Sequence, residues 1–235
     1  MTAVPYTGVP DSAPAARPPR ITPGFSESLA WQMSSRANWL WMVPVPAWNR
    51  AVELAPIGSR LPGALDEHFE RVDHLPLDTQ TTLPFADASV DCVALHDAGA
   101  TVSSPHGAAL LAECSRILAP GGWLYIGMSN DASFSRVKRS PLRWLARFAA
   151  EVLMPAAMAS IDAAVRRAGF AQTRRYFAWP SEASQRMLIP AERSAAVAHE
   201  RLDRIASSRR RLRMTIASLG LYSGLYPVRI FLCRR

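Results

Sequence analysis

Apolar positions recur along this chain in short bursts, and their period changes from burst to burst. Ala51-Val52-Glu53-Leu54-Ala55 is a brief apolar run that reads as an opening strand, followed by a turn through Pro56, Ile57 and Gly58. The spacing then allows a helix from Leu61 to Phe69 and a second strand from Arg71 to Leu77. Val90 to Leu95 is a nearly continuous apolar run, the signature of a strand buried on both faces. Ala108 to Leu118 changes to helical spacing, with Leu110, Leu111, Cys114, Ile117 and Leu118 on one face. Pro120-Gly121-Gly122 marks a turn, and Trp123 to Gly127 reads as the next strand.

The second half continues the alternation. Pro155 to Ala168 predicts a helix with proline at its start and Gly169 just past its end. Thr173 to Trp179 is a strand candidate, residues 191–219 form one long helix or two, and Pro227 to Cys233 is a last strand. Such alternation argues an α/β fold: a mostly parallel sheet with helices on both faces. Residues 1–24 are rich in Pro and Ala without periodicity and read as a flexible arm. Residues 25–235 then make one domain. Its 25–48 stretch, with Trp31, Trp39, Trp41 and Trp48, is expected to cover it, starting with a helix from about Glu27 to Trp41.

Charge adds one feature to this outline. Residues 1–135 hold 7 Arg, no Lys and 13 acids, a net −6, whereas residues 136–235 hold 20 bases and 6 acids, a net +14. Twelve of these 20 bases fall in two stretches expected to be helical insertions, 134–153 and 191–219. They suit an anionic substrate, an acidic carrier protein, a protein partner or an anionic membrane surface, or form a plain solvated face. No nucleic-acid motif accompanies them, which argues against that partner. No apolar run is long enough to span a bilayer and no signal peptide is discernible, so a cytoplasmic location, with peripheral membrane contact as the alternative, is the expectation. Cys92, Cys114 and Cys233, like the five histidines, lack metal spacing; buried cysteines and no metal site are expected.

Two blocks carry a family resemblance. Leu83-Pro84-Phe85-Ala86-Asp87-Ala88-Ser89-Val90-Asp91-Cys92-Val93 resembles the LPF-x-D-x-S-F-D-x-V segment of class I S-adenosylmethionine-dependent methyltransferases, with Val90 for the usual Phe. Glu113-Cys114-Ser115-Arg116-Ile117-Leu118-Ala119-Pro120-Gly121-Gly122-Trp123-Leu124 is similar to that family's E-x-x-R-V-L-x-P-G-G-x-L block. The resemblance implies a Rossmann-like sheet, S-adenosyl-L-methionine as cofactor and a helical C-terminal lid or insertion. It also exposes two departures. The glycine-rich cofactor loop is degenerate: Ala55, Ile57 and Ser59 stand where glycines are expected, and Gly58 is one place out of phase. The stretch from Asp73 to Leu83 is too short for the usual helix and third strand, so the fold is shortened by about one βα unit.

The resemblance places Glu53, Ala55, Gly58, Leu83 and His96 along the cofactor crevice, with either Asp73 or Asp78 as the acid for the ribose hydroxyls. His96 directly follows a strand, where open α/β sheets face their ligands, and is the candidate general base; a hydrogen-bonded crevice residue is the alternative. Three readings of function follow: a methyltransferase acting on a small-molecule or carrier-bound acceptor; an inactive methyltransferase-like partner or regulatory subunit; and a membrane-surface protein on this scaffold.

Overall fold

The computed structural model describes residues 37–59, 63–77, 82–130, 133, 156–202, 207–219 and 225–235. The proposed arm 1–24, residues 25–36 of the tryptophan segment and the basic stretch 134–153 lie outside the described residues, as does Asp78. Seven strands form one sheet: β1 (Arg50–Ala55), β2 (Arg71–Pro76), β3 (Val90–Leu95), β4 (Leu118–Ser129), β5 (Gln172–Ser181), β6 (Ser184–Pro190) and β7 (Val228–Arg234). Their order is β2-β1-β3-β4-β7-β5-β6. β2, β1, β3 and β4 are parallel, and β7 runs antiparallel to both β4 and β5, so β5 points the same way as β4. The carboxyl ends of β1 to β5 therefore share one edge. The expected Rossmann-like, mostly parallel sheet is present.

One face packs on helices. Val52, Leu54, Val93, Leu95, Leu124 and Ile126 meet α2 (Gly107–Ile117) and α3 (Ala156–Arg167), the helices that the periodicity indicated; the four-residue α1 (Gly99–Val102) precedes them. Cys92, Cys114 and Cys233 are all free and buried, and burial pushes the Cys114 thiol up to about 12. On the other face Ala51, Cys92, Ala94, Trp123 and Tyr125 are covered by Trp39, Leu40 and Val43 from the amino side and by Leu65 and Phe69. Trp39 is fully buried and stacks on Tyr125 at 4.6 Å, and Trp48 meets Phe69 at 5.1 Å. The described part of this cover is a 3-10 turn, Asn38–Met42, where the sequence indicated the end of an α-helix. Pro44 and Pro46 follow at once and prevent any extension.

The connections on the β2 side are short. Residues 56–70 link β1 to β2 and residues 77–89 link β2 to β3; neither contains a helix among the described residues. The helix expected over Leu61–Phe69 is a set of turns from residue 63 onward. Gly63 adopts φ +95, outside helical space, and the Gly63 and Leu65 N–H groups donate to the Glu53 carboxylate. Among the described residues, the missing βα unit is thus an absent edge strand together with its crossover helix. At the opposite edge the chain adds β6, and α4 (Arg193–Leu202) and α5 (Ser207–Ser218) resolve residues 191–219 into two helices. No helix among the described residues is long and apolar enough to cross a membrane.

The two resemblance blocks turn out to hold one another. Arg116 on α2 donates to the carbonyls of Leu83 (3.0 Å) and Phe85 (2.9 Å) and pairs with Asp87 (2.6 Å) and Glu113 (2.8 Å). Glu113 in turn accepts from the Leu83 N–H at 3.0 Å, and the Arg116 guanidinium holds its carboxyl below the usual range. The chain entering β3 is therefore clamped to the helix that follows it. Arg116→Met is expected to lower the melting temperature by several degrees, since five acceptors lose one planar donor. Arg116→Lys should restore little of this, because an ammonium cannot span them. A lysine variant as stable as wild type would contradict the clamp.

Candidate functional site

The carboxyl edge of the sheet carries a buried chain of polar side chains. Glu53 lies on β1 with no exposed surface, on the face shared with Cys92, Ala94 and Tyr125. His96 immediately follows β3 and is 2% exposed. Its Nε2 lies 3.3 Å from Oε1 of Glu53, and its Nδ1 lies 3.1 Å from Oε1 of Glu182. Glu182 comes from the β5–β6 turn and reaches across to the surface of β4. A side chain on Gly127 would collide with it, so β4 is bare there. The Tyr125 hydroxyl donates to Glu182 (3.2 Å), and Gln185 Nε2 donates to that hydroxyl (2.9 Å).

Opposing effects set the charges. Burial disfavours an imidazolium, but hydrogen bonds and Coulomb attraction from Glu182 and Glu53 outweigh it and carry the His96 pKa up to about 9. Burial likewise opposes the Glu53 carboxylate, yet His96, the Gly63 N–H and His74 leave its pKa lowered. Tyr125, buried beside Glu182, is pushed far up and stays neutral. The bridge thus holds two carboxylates and one imidazolium. Asp97, the next residue, sits at φ +45, a strained backbone for a residue with a Cβ. That conformation aims its N–H at both Glu182 oxygens (3.4 and 3.3 Å), while its own carboxylate accepts from Ser129 Oγ at 3.1 Å.

The sequence-derived candidates separate into two groups. Glu53 and His96 meet directly, and Ala55 and Gly58 continue from Glu53 along the same strand and turn. Ser59 N–H closes that turn on the Pro56 carbonyl at 3.0 Å, with Gly58 in the left-handed region at φ +78. Leu83 is instead in the core under α2, and Asp73 lies midway along β2, paired with Arg50 (2.8 Å) and Arg71 (3.1 Å). Those guanidiniums hold its carboxyl below the usual range against the cost of burial. Asp73 is therefore engaged below the carboxyl edge. As for the role of His96, both of its nitrogens are occupied and the ring is charged at neutral pH, so it offers no lone pair to a proton. Sequence reading missed Glu182, Tyr125 and Gln185. Tyr125 reaches His96 through the β3–β4 pairing, whereas Glu182 and Gln185 lie far off in the chain and arrive on the β5–β6 hairpin.

His74 lies between Glu53 (3.1 Å) and Asp66 (3.0 Å), a grouping of metal-ligating residue types whose ligand atoms converge. Both ring nitrogens face carboxylates, so the ring joins Glu53 to Asp66 as it stands.

Parallel strands ending at one polar edge define a Rossmann-like α/β protein with a ligand crevice there. Residues 61–126 match the family model described as a methyltransferase domain, so the resemblance to class I S-adenosylmethionine-dependent methyltransferases holds over that segment. No curated protein matches the chain. Among solved structures, an S-adenosylmethionine-dependent methyltransferase from Thermotoga maritima is 14% identical, with 89% of this chain and 95% of that one covered at a TM-score of 0.46. One from Archaeoglobus fulgidus is 10% identical, with 90% and 100% covered at 0.46. A methyltransferase from Haloferax volcanii, solved with the Trm112 activator, is 17% identical, with 88% and 91% covered at 0.43. Likenesses this distant add nothing to what the strand order already says.

The turn after β1 decides whether the family's cofactor has room. Ile57, where a glycine is usual, points outward and is 79% exposed. A Cβ on Gly58 would meet nothing within 4 Å. Neither Ile57 nor Gly58 therefore plugs the strand end, so the substitutions at the customary glycine positions do not themselves exclude a nucleoside there.

Proposed function

We propose that this protein is an S-adenosylmethionine-dependent methyltransferase acting on a small-molecule or carrier-bound acceptor at the carboxyl edge of β1, β3 and β4. The observation that carries this reading is the open left-handed turn at Gly58, which follows a strand whose Glu53 organises the next backbone amides, within a chain whose 61–126 segment matches the methyltransferase domain. When bound, the cofactor supplies an electrophilic methyl on a cationic sulfur. Ala55 and Gly58 would border it. Glu53, held by the Gly63 and Leu65 N–H groups and by His96, would keep the following segment in place and set a negative potential under the sulfonium. Asp78, just past β2, is the remaining candidate for the ribose. His96 would act by positioning, as the imidazolium between Glu53 and Glu182. Methyl transfer needs alignment more than acid–base machinery, which suits a site whose polar groups are already saturated. A cytoplasmic setting, with peripheral membrane contact through the basic segments, belongs to the same proposal.

The missing βα unit and the committed Asp73 favour one other reading, an inactive methyltransferase-like partner. Calorimetric titration separates the two. Saturable binding of S-adenosylmethionine, with release of S-adenosylhomocysteine in the presence of an acceptor, supports the enzyme; no binding up to about millimolar removes it. Because the Ile57 side chain stands in solvent, Ile57→Gly is expected to change cofactor affinity by no more than about twofold. A large gain would mean that the turn closes over the site in solution.

A further inference from the structure

Building on the methyltransferase reading, we propose that the methyl acceptor is an amine, held as its ammonium form by Glu182 and Gln185. Three features of the crevice point to this ligand. The first is charge. Glu53 and Glu182 are both buried against a single imidazolium, His96, and Tyr125 is neutral beside them. Asp97 adds a third carboxylate at the exposed end of β3. His74 faces Glu53 and Asp66 from the β2 side and does not reach Glu182. The half of the crevice around Glu182 thus carries more anion than cation.

The second feature is spare hydrogen-bonding capacity of one kind. Glu182 Oε1 accepts from His96, Tyr125 and Asp97, but Oε2 has only the long contact from Asp97 N–H at 3.3 Å. Gln185 is fully buried, and its Oε1 has no partner. The orientation of that amide is set by its neighbour. Tyr125 has one hydroxyl proton and gives it to Glu182, so the hydroxyl can only accept from Gln185 Nε2, and Gln185 Oε1 must face elsewhere. A buried carbonyl oxygen without a donor is costly and rare. Two acceptors with capacity left, joined through one phenol, call for a ligand rich in donors.

The third feature is proximity to the exposed rim of the sheet. Asp97 and Ser129 are exposed at the ends of β3 and β4, and Glu182 contacts Asp97 directly. An ammonium group brings three donors and a positive charge. An alcohol brings one donor and no charge, and a carboxylate brings neither and is repelled. In the reaction the bound ammonium first releases a proton to solvent past Asp97. The nitrogen lone pair then forms the new N–CH3 bond while the S–CH3 pair returns to sulfur. The sulfonium becomes a thioether, and the product leaves as a methylammonium.

The test uses phenethylamine, 2-phenylethanol and phenylacetate as probes, titrated calorimetrically into the full chain with and without S-adenosylmethionine. Phenethylamine is expected to bind about tenfold or more tightly than the alcohol, with no binding of the acid. Glu182→Gln should weaken the amine about tenfold and change the affinity for S-adenosylmethionine by about twofold at most. If circular dichroism shows that variant unfolded, Gln185→Leu, which leaves the charged bridge in place, takes over and should also weaken the amine selectively. Amine binding no tighter than alcohol binding, or unaffected in the folded variant, overturns the proposal whether or not the cofactor binds. Failure of S-adenosylmethionine alone to bind overturns the methyltransferase reading instead.

Discussion

Replacing His96 with leucine should destabilise the protein by about 3–5 kcal/mol at pH 7, the usual cost of stripping a buried ion pair of one partner. The volume is roughly kept, so the loss is chiefly electrostatic. Glu53 and Glu182 would face each other without the imidazolium that both contact within 3.3 Å. Urea unfolding followed by circular dichroism at several pH values measures it. In the wild type, the His96 pKa stands at about 9 against an ordinary 6.5, a differential of order ~3 kcal/mol. A raised pKa stabilises fully below pH 6.5, and its contribution disappears as the pH climbs through about 9. Glu53, with its pKa lowered, contributes above its ordinary 4.5 and is lost as the pH falls. The network therefore gives most between about pH 4.5 and 6.5. In His96→Leu the profile should reverse: the carboxylates would be easier to protonate, so stability should recover on acidification from pH 7 toward 5. A variant with wild-type stability and an unchanged alkaline limb would mean that the imidazolium does not hold the bridge.

Trp39→Ala should cost a similar amount, about 3–5 kcal/mol, for a different reason. The indole is fully buried and stacks on Tyr125, the same ring that hydrogen-bonds Glu182. Its removal opens a cavity over the second face of the sheet, where the described cover consists of short turns that cannot slide in to fill it. Trp39→Phe keeps most of the contact and should lose about 1–2 kcal/mol. Thermal unfolding distinguishes these cases. A loss under about 1 kcal/mol for the alanine variant would show that residues 37–48 lie on the domain without belonging to its core. Because Tyr125 links the cover to Glu182, the alanine variant should also loosen the β5–β6 turn, which is visible as faster amide exchange at Asp97.

The elements legible in the sequence were those whose stability is local or whose pattern is long. β3 coincides with the apolar run Val90–Leu95 because a strand buried on both faces admits little else. α2 and α3 fall within a residue or so of their periodic faces, and the missing βα unit followed from the family resemblance set against the short stretch from Asp73 to Leu83. β6 escaped notice because its residues, Ser184–Pro190, mix polar and apolar types and end in proline, which only an edge strand tolerates. The helix expected at Leu61–Phe69 had an adequate pattern, but its first backbone donors went to Glu53, a competitor whose position depends on the sheet.

The site divides in the same way. Local sequence determined that Glu53 stands on the opening strand, that His96 follows β3 at the ligand edge, and that the Leu83 and Glu113 blocks belong to a methyltransferase-like domain. Only the tertiary structure decided what those residues do. It turned Ile57 outward, sent Asp73 to two arginines, and brought Glu182 from the far hairpin onto His96, making a would-be base into a held cation. Backbone pattern reports which face a residue takes within its own strand or helix. The charge on a buried side chain depends instead on partners distant in the chain, as Glu182 is from His96, and those are set by how the strands are ordered.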